Sequence, residues 1–353
     1  MTPDAQRIVD LIAGGDPVHE MDLSGMDFSG ADLSYGVFLN TRAESAIFDG
    51  CRMEKTLFKS CDLTGSRWRD TRLHLASFFD CRIGQSSFER SQSRESRWVE
   101  SDLSGSVFRD ALLSHSSWVK AGLEQASFQE ADLEKTSFVE GTFHGAVFSG
   151  AKIVKTAFIG QDLSQVHFSG ATFHNPIFIR AILRGLDFSG MSLPMIQASG
   201  SDLSRTRWVG AHLALANFYQ SDLSEAVFDR SNGEKALFSE SLMEKASGRE
   251  GLFRMASFQN VCARNANFSR ADLSFSQWRQ ADCNEADFSG ANIAFGDFSH
   301  ANLSSALFRG AGLRGANFHR AREQGADYAA SSRPAGKETD PELLEAEDFV
   351  PQP

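Results

Sequence analysis

The sequence predicts an all-β solenoid whose backbone turns once every five residues. An aromatic residue occupies every tenth position from Phe28 to Tyr328, and only Ala198 and Gly248 break the series. A second series of large, mostly apolar residues begins at Leu23 and falls halfway between the aromatic ones. A period of five matches neither the 3.6 residues of a helix turn nor the two-residue alternation of a flat strand. The pattern therefore excludes an amphipathic helical bundle and an ordinary sheet.

The repeating unit is small-polar-large-polar-polar. It reads ADLS at residues 31–34, ADLS at 271–274 and ANLS at 301–304. With this unit, residues 21–328 resemble pentapeptide-repeat proteins, whose motif is written A(D/N)LXX. The resemblance implies a right-handed quadrilateral parallel β-helix of about fifteen coils, with four pentapeptides in each coil.

The charges give an independent test of a coil of twenty residues, because residues twenty apart would then be neighbours on adjacent strands. Like charges at that distance are unfavourable. Asp22, Arg42, Asp62, Arg82 and Asp102 alternate in sign along one such series. Like-charged pairs also occur, among them Arg52/Arg72 and Asp202/Asp222. On balance the alternation supports the twenty-residue coil.

The two ends of the chain differ from the repeat and from each other. Residues 1–20 predict a short capping helix, with Thr2 as its N-cap, Pro3 at its first position and Gly14-Gly15 after its end. Residues 329–353 predict an acidic, flexible tail. Within the tail, a short amphipathic segment could instead dock on a partner or on the last coil. The candidate contact residues are Leu343, Leu344, Phe349 and Val350.

The repeat weakens internally near Ala198, Gly233 and Gly248, where large core side chains are missing. Such gaps predict a narrowed, bent or loosened stretch. Two interpretations stay open at this point. The gaps are tolerated drift in a long array, or they form a kink that binds a partner.

Composition and motifs give no support to an enzyme. The nine histidines, His319 among them, stand singly, without the spacing of a metal site, and are expected to be ordinary surface or turn residues. No phosphate-binding glycine motif occurs. Most aspartates stand just before a core position, where the repeat explains them. The sequence predicts no catalytic residue, cofactor or metal. The five cysteines predict reduced core thiols, with Cys61 and Cys81 close enough in register for a disulfide.

These features favour a non-enzymatic, rod-shaped scaffold or adaptor that binds a protein of unknown identity. Residues 8–15 and 21–30 are similar to bacterial pentapeptide-repeat proteins encoded beside contractile secretion systems, which suggests an accessory role in secretion. The alternative is a DNA mimic that binds a type II topoisomerase such as gyrase, as some family members do. The net charge of −11 argues against direct binding to nucleic acid or to an anionic membrane.

Two further expectations concern place and assembly. The first residues lack the pattern of a signal peptide, which predicts the bacterial cytoplasm, with export by a leaderless route left open. An uncovered C-terminal coil predicts a possible homodimer through that end.

Overall fold

The computed structural model describes residues 2–333 and 336–348. The chain divides into two compact units, one that ends at Ile177 and one that begins at Phe178. Each unit is a parallel β-solenoid built from the same five-residue element.

Each coil contains twenty residues. In the first unit, Asp22 bridges Arg42, which bridges Asp62, and every bridge is parallel. In the second unit, Asp202 bridges Asp222, which in turn bridges Leu242. The backbone turns at every fifth residue, where φ is positive along most of the chain. Four sides per coil follow from a turn every five residues and a register of twenty, which agrees with the predicted architecture.

The extended segments are short because a turn interrupts the backbone after a few residues. Most sides of the coils contribute only isolated bridges. The strands are β1 (Val18–His19), β2 (Val37–Leu39), β3 (Leu57–Lys59), β4 (Ser77–Phe79), β5 (Arg97–Val99), β6 (Ser117–Val119), β7 (Ser137–Val139), β8 (Lys152–Val154), β9 (Ala157–Ile159), β10 (Thr172–His174) and β11 (Ile177–Ile179). Strands β1 to β7 and then β9 lie side by side in one parallel sheet, and β8 pairs with β10.

The core of each unit is a set of stacked aromatic columns. In the first unit, the rings of Phe48 and Trp68 stack with centroids 4.2 Å apart, and Phe58 meets Trp68 edge to face at 5.6 Å. In the second unit, Phe258 stacks on Trp278 at 4.0 Å. Stacked and edge-to-face pairs both stabilise, by about 0.5–1.5 kcal/mol beyond the burial of their surface. The buried columns are therefore the main source of stability.

Polar groups inside the coils find partners close by in the sequence. The indole N–H of the buried Trp278 donates to the hydroxyl of Ser276 at 2.8 Å, and Trp98 does the same to Ser96 at 2.9 Å. A serine two residues before tryptophan occupies the small inward position of the repeat. The pattern of the repeat thus supplies the hydrogen-bond partner that a buried tryptophan needs.

Helix α1 (Pro3–Ala13) covers the first coil as the sequence predicts. The Thr2 hydroxyl accepts a hydrogen bond from the amide of Ala5 at 3.3 Å. Gly14 forms the C-cap. Ile8 and Ile12 are buried, and Ile8 shares an open pocket with Leu23 of the first coil.

The gaps at Gly233 and Gly248 are filled, which the sequence pattern did not reveal. A Cβ atom at Gly248 would lie 2.8 Å from two ring carbons of Phe268 and 3.0 Å from the ring of Phe253. A Cβ at Gly233 would lie 2.8 Å from Phe253. Phe253 is buried and takes the place of the aliphatic residue usual at its position. Volume lost at the glycines is thus regained at a neighbouring coil, so this stretch is tightly packed.

Among the described residues, no helix has both the length and the apolar character needed to cross a membrane.

Candidate interaction surface and C-terminal cap

The corner residues determine what each edge of the coil offers to solvent. The fifth residue of most units has a positive φ, a conformation that suits glycine and asparagine and is unfavourable for bulky side chains. In the second unit, three of the four corner series hold mainly glycine, polar or charged residues, such as Gly190, Arg205 and Gln220. The fourth series is different in kind.

That fourth series forms an exposed apolar ridge along the second unit. We define the apolar ridge by residues spaced by multiples of twenty, namely Met195, Leu215, Met255, Phe275 and Phe295, with Lys235 interrupting it. Their exposed fractions run from 42% for Met195 and Phe275 to 53% for Leu215. The rings of Phe275 and Phe295 stack with centroids 5.1 Å apart. An apolar strip thus follows one corner of the solenoid.

The ridge is doubly unfavourable for the folded chain alone. Phe275 has φ of 60° and Phe295 of 59°. A side chain in that region costs roughly 1–2 kcal/mol relative to the right-handed conformation, and the exposed rings gain little from burial. Gly310 and Gly210 show that glycine serves at such corners. Neither the turn nor burial in the core therefore accounts for these side chains.

A groove lies beside the ridge. Its lining includes Met255, Phe275 and Phe295 of the ridge, and also Gln259, Arg279 and Asp297. The cavity measures about 570 Å³ and opens to solvent. This volume is within the range of about 300–1,000 Å³ that is typical of ligand-binding pockets.

Charges are sparse on the two sides that flank the ridge. The guanidinium of Arg254 lies over the ring of Phe275, 4.6 Å from its centroid, and Arg279 faces Asp297 at 3.8 Å. In the part of the chain that the structure describes, no carboxylate lies within 4 Å of the Arg254 guanidinium. Most ion pairs of the second unit's coils lie on the two opposite sides; these are Arg184–Asp202, Arg205–Glu225, Arg207–Asp187, Arg249–Asp229, Arg264–Asp282, Arg270–Glu250 and Arg309–Asp327. Low charge with aromatic residues, Met and Arg is the composition of an interface core.

The first unit has a different surface. Its charges alternate along the register, as the sequence predicts, and Arg82 pairs with Asp62 at 2.5 Å. Arg90 pairs with Asp70 at 2.8 Å. Arg52 forms a short hydrogen bond to Asp32, which together with Ser34 lowers the pKa of Asp32 to about 2. Acids and bases therefore neutralise one another from coil to coil.

The C-terminal segment covers the last coil of the second unit. Lys337 donates its amide to the carbonyl of Ala316 at 2.6 Å and accepts from Phe318 at 3.1 Å, which extends the parallel register. Arg333 lies over the Phe318 ring at 4.2 Å and pairs with Glu323 at 3.1 Å. Helix α2 (Pro341–Asp348) follows. Where the sequence suggested a flexible tail, the described segment thus continues the hydrogen bonding of the coil.

A cluster of His300, His319 and Glu347 joins α2 to the coil, and no sequence motif pointed to it. The sequence predicts His319 to be an ordinary surface residue, but the segment after it leaves the ring only 1% exposed. Its Nε2 lies 3.3 Å from Glu347 Oε2, and Nε2 of His300 lies 3.4 Å from Oε1. Burial alone would raise the pKa of Glu347, but the bond to His319 and the charge of Arg320 lower it.

These three side chains do not fit a metal site, although their ligand atoms lie close together. Nδ1 of His319 accepts a hydrogen bond from the amide of Asp340 at 3.1 Å. The neutral ring therefore carries its proton on Nε2, the atom that faces Glu347, and has no lone pair there for a metal. Arg320 also lies 3.2 Å from the same carboxylate and would repel a cation. The cluster is a hydrogen-bonded clamp on α2.

Of the predicted contact residues, Leu343 and Leu344 lie on α2 and the other two, Phe349 and Val350, lie outside the described residues. Leu343 is 45% exposed and Leu344 is half-buried. Neither reaches the apolar ridge in any described contact.

The comparison with protein families decides the classification. The model of pentapeptide repeats matches with eight copies, and the matched residues are 22–59, 106–145, 126–160, 154–190, 199–232, 266–304 and 297–327. The chain belongs to the pentapeptide-repeat family. The number of copies differs from the about fifteen coils predicted, because a match such as 22–59 spans close to two coils of twenty residues.

Solved structures of other pentapeptide-repeat proteins resemble this chain at low identity. HetL of Nostoc sp. strain PCC 7120, described as involved in the regulation of heterocyst differentiation, is 19% identical, with 95% of this chain and 97% of that chain covered and a TM-score of 0.25. QnrB1, a plasmid-mediated fluoroquinolone resistance protein, is 18% identical over 51% of this chain and 90% of its own, with a TM-score of 0.32. A thylakoid lumen protein of Arabidopsis thaliana is 24% identical over 37% and 68%, with a TM-score of 0.13. At such scores these likenesses carry no argument about function, and a comparison with curated proteins gives no match.

The spacings of five and ten in this pentapeptide-repeat sequence do not reveal the apolar ridge, and the spacing of twenty was considered only for charged residues. The signal was present at a spacing of twenty, where residues 195, 215, 255, 275 and 295 are all apolar. The prediction of five core cysteines was wrong for Cys262, which takes an outward position and is half-exposed. The other four are buried, and burial raises the pKa of Cys51 to about 12.

Proposed function

We propose that this protein is a non-enzymatic scaffold that binds a partner protein through the apolar ridge of its second unit. The observation that carries the proposal is the ridge itself, where bulky apolar side chains occupy exposed corners at positive φ. Such residues weaken the fold when the protein is alone, and they contribute binding energy when a partner covers them. An accessory role in secretion, which rests on the sequence resemblance, is compatible with this function, and so is the expected cytoplasmic location.

The alternative, mimicry of duplex DNA for a topoisomerase, is less well supported. A mimic needs continuous rows of acids in place of phosphates. In the first unit Asp22, Arg42, Asp62 and Arg82 succeed one another in register, so each acid is followed by a base. The flanks of the ridge are poor in charge of either sign. The resistance protein QnrB1 shares the family, and this chain has its own distribution of charge.

A homodimer through the last coil is not part of the proposal. Ser332 and Lys337 already bond to the backbone of that coil, with the Ser332 amide donating to the carbonyl of Ala311 at 3.0 Å and the Lys337 amide donating to that of Ala316 at 2.6 Å. The predicted contact at Leu343 and Leu344, continued by Phe349 and Val350, is retained as a second, separate site for a partner. The exposed side chain of Leu343 supports it.

Site-specific photo-crosslinking in the native host tests the function. A photoreactive phenylalanine analogue is placed at Leu215 or Met255 on the ridge, and at Glu225 or Lys245 on a different corner of neighbouring coils. All four positions have positive φ, so the backbone cost of the substitution is matched. We expect adducts with the same partner protein from both ridge positions and none from the other two. Equal adducts at the two corners, or none at the ridge, would contradict the proposal.

A matching test addresses the tail. Leu343→Ser is compared with Glu345→Ser, a change at another exposed position of the same helix. If the tail contacts a partner, only Leu343→Ser reduces the yield of a photo-crosslinked adduct formed at a position beside residue 343. An equal effect of both changes would remove the tail from the proposal.

A further inference from the structure

The apolar ridge has the spacing, the neighbouring groove and the charge of a surface that binds one α-helix. We infer that its occupant is an amphipathic helix of a partner protein, which places one apolar residue per turn against successive coils and a carboxylate beside Arg254. The inference rests on the proposed function, because it specifies the partner of the same surface.

Spacing favours a helix over a strand. Phe275 and Phe295 repeat along the ridge at 5.1 Å. A helix running beside the ridge repeats its apolar face every ~5.4 Å, whereas an extended strand repeats one face every ~6.6 Å. Over two steps of this length a helix falls out of step by only about 0.6 Å, against about 3 Å for a strand. Three consecutive turns of a helix can contact three consecutive coils.

The backbone of the coils offers nothing to a strand. The amide of Phe275 donates to the carbonyl of Ala294, and that of Phe295 donates to Arg314, both at 2.9 Å. Binding by strand addition needs free backbone groups at a sheet edge. At the ridge only side chains remain for recognition, and a helix satisfies its own backbone and presents side chains. The groove between Phe275 and Gln259 gives those side chains a place to enter.

Charge specifies the polar part of the occupant. Arg254 stacks on Phe275 and has no carboxylate within 4 Å among the described residues. Its guanidinium is also within 3.5 Å of the Ser274 hydroxyl, a contact too long to satisfy the group. Lys235 stands in line with the ridge one coil before Met255 and already pairs with Glu234 at 3.9 Å. Arg254 is therefore the cation that calls for a carboxylate on the bound helix, because an uncharged or basic helix would leave its guanidinium buried and unpaired.

A synthetic peptide tests the inference with the full-length protein. The probe is an amidated helix of about 18 residues, five turns, with leucine once per turn on one face and glutamate beside it. The control has the same composition with the leucines distributed around the helix. Binding is measured by fluorescence anisotropy of the labelled peptides. We expect the patterned peptide to bind at least about tenfold more tightly than the control.

Variants of the protein locate the site. Phe275→Ser should weaken the patterned peptide at least about tenfold, and Leu242→Ser, an equally exposed apolar position away from the ridge, should leave binding unchanged. Arg254→Glu should weaken binding of the glutamate peptide about tenfold. The same variant should regain the lost affinity for a peptide in which the glutamates are replaced by lysine. The circular dichroism spectrum of each variant shows whether the solenoid is intact.

The outcomes separate this inference from the proposed function. Equal binding of the two peptides, or no effect of Phe275→Ser on a folded protein, overturns the inference that the partner binds through a helix. Ridge adducts in the host would in that case still support the proposed scaffold function. Absence of ridge adducts overturns both. Failure of the charge exchange at Arg254 overturns the acidic character of the helix.

Discussion

Replacing Gly248 with alanine should destabilise the second unit, although alanine is usually the better residue in an ordered backbone. The added Cβ would meet two carbons of the Phe268 ring at 2.8 Å, closer than a methyl group tolerates. The ring cannot withdraw easily, because it meets Trp278 edge to face at 5.2 Å. Overpacking of this kind costs about 1–3 kcal/mol. Reduced freedom of the unfolded chain returns about 0.4–1 kcal/mol, so the net loss is about 0–2.6 kcal/mol, with a midpoint of about 1.3 kcal/mol.

Urea unfolding followed by tryptophan fluorescence measures this loss as a lower midpoint at an unchanged slope. Two matched glycines serve as controls. At Gly312 the nearest atom to an added Cβ is 3.8 Å away, so Gly312→Ala should be neutral or slightly stabilising. At Gly310 nothing lies within 4 Å but φ is 65°, so alanine there should cost about 1 kcal/mol through the backbone alone. If Gly248→Ala behaves like Gly312→Ala, the idea that Phe268 and Phe253 fill the gap is wrong.

Three further predictions concern single contacts. Arg52→Gln should raise the pKa of Asp32 from about 2 toward its ordinary value of 3.8, as followed by NMR titration. Because the folded pKa is depressed, this carboxylate stabilises the native protein above about pH 4 and loses that effect as the pH falls toward 2; an unchanged pKa would show that Arg52 is not the cause. A thiol reagent at pH 8 should label Cys262 in the native protein and leave Cys283 unlabelled until urea is added, because burial raises the pKa of Cys283 well above its usual value; labelling of both at equal rates would contradict this. The double change Glu347→Gln with Asp348→Asn should release α2 and make residues 341–348 cleavable in limited proteolysis, since Arg320 then loses both of its charged partners on the helix; equal cleavage of the unchanged protein would argue against the clamp.

The sequence predicted the fold through its periodicity. The large residues from Leu23 to Tyr328 stand at the same central position of each five-residue unit. This repetition predicted the architecture without any knowledge of tertiary contacts. Local patterns were equally informative at α1, because Thr2 and Gly14 act within one turn of the helix they cap. Signals that act over a few residues were therefore interpreted correctly.

Prediction failed where distant residues compensate for one another. The gap at Gly248 appeared to weaken the repeat, since the two rings that fill it belong to other pentapeptides. His319 appeared to be a surface residue, because Asp340 and Glu347, which cover it, follow 21 and 28 residues later in the sequence, after the end of the repeat. Neither case leaves a trace in the repeat pattern.

The sequence by itself determined the five-residue turn, the inward columns and the alternation of charge, because each follows from a fixed spacing along one chain. The identities of the ridge residues were also contained in it, at a spacing of twenty. Only the tertiary structure decided that this one corner is both exposed and apolar, that a groove lies beside it, and that Arg254 stacks on Phe275. These properties depend on how side chains from successive coils lie against one another, and no spacing along the chain specifies that.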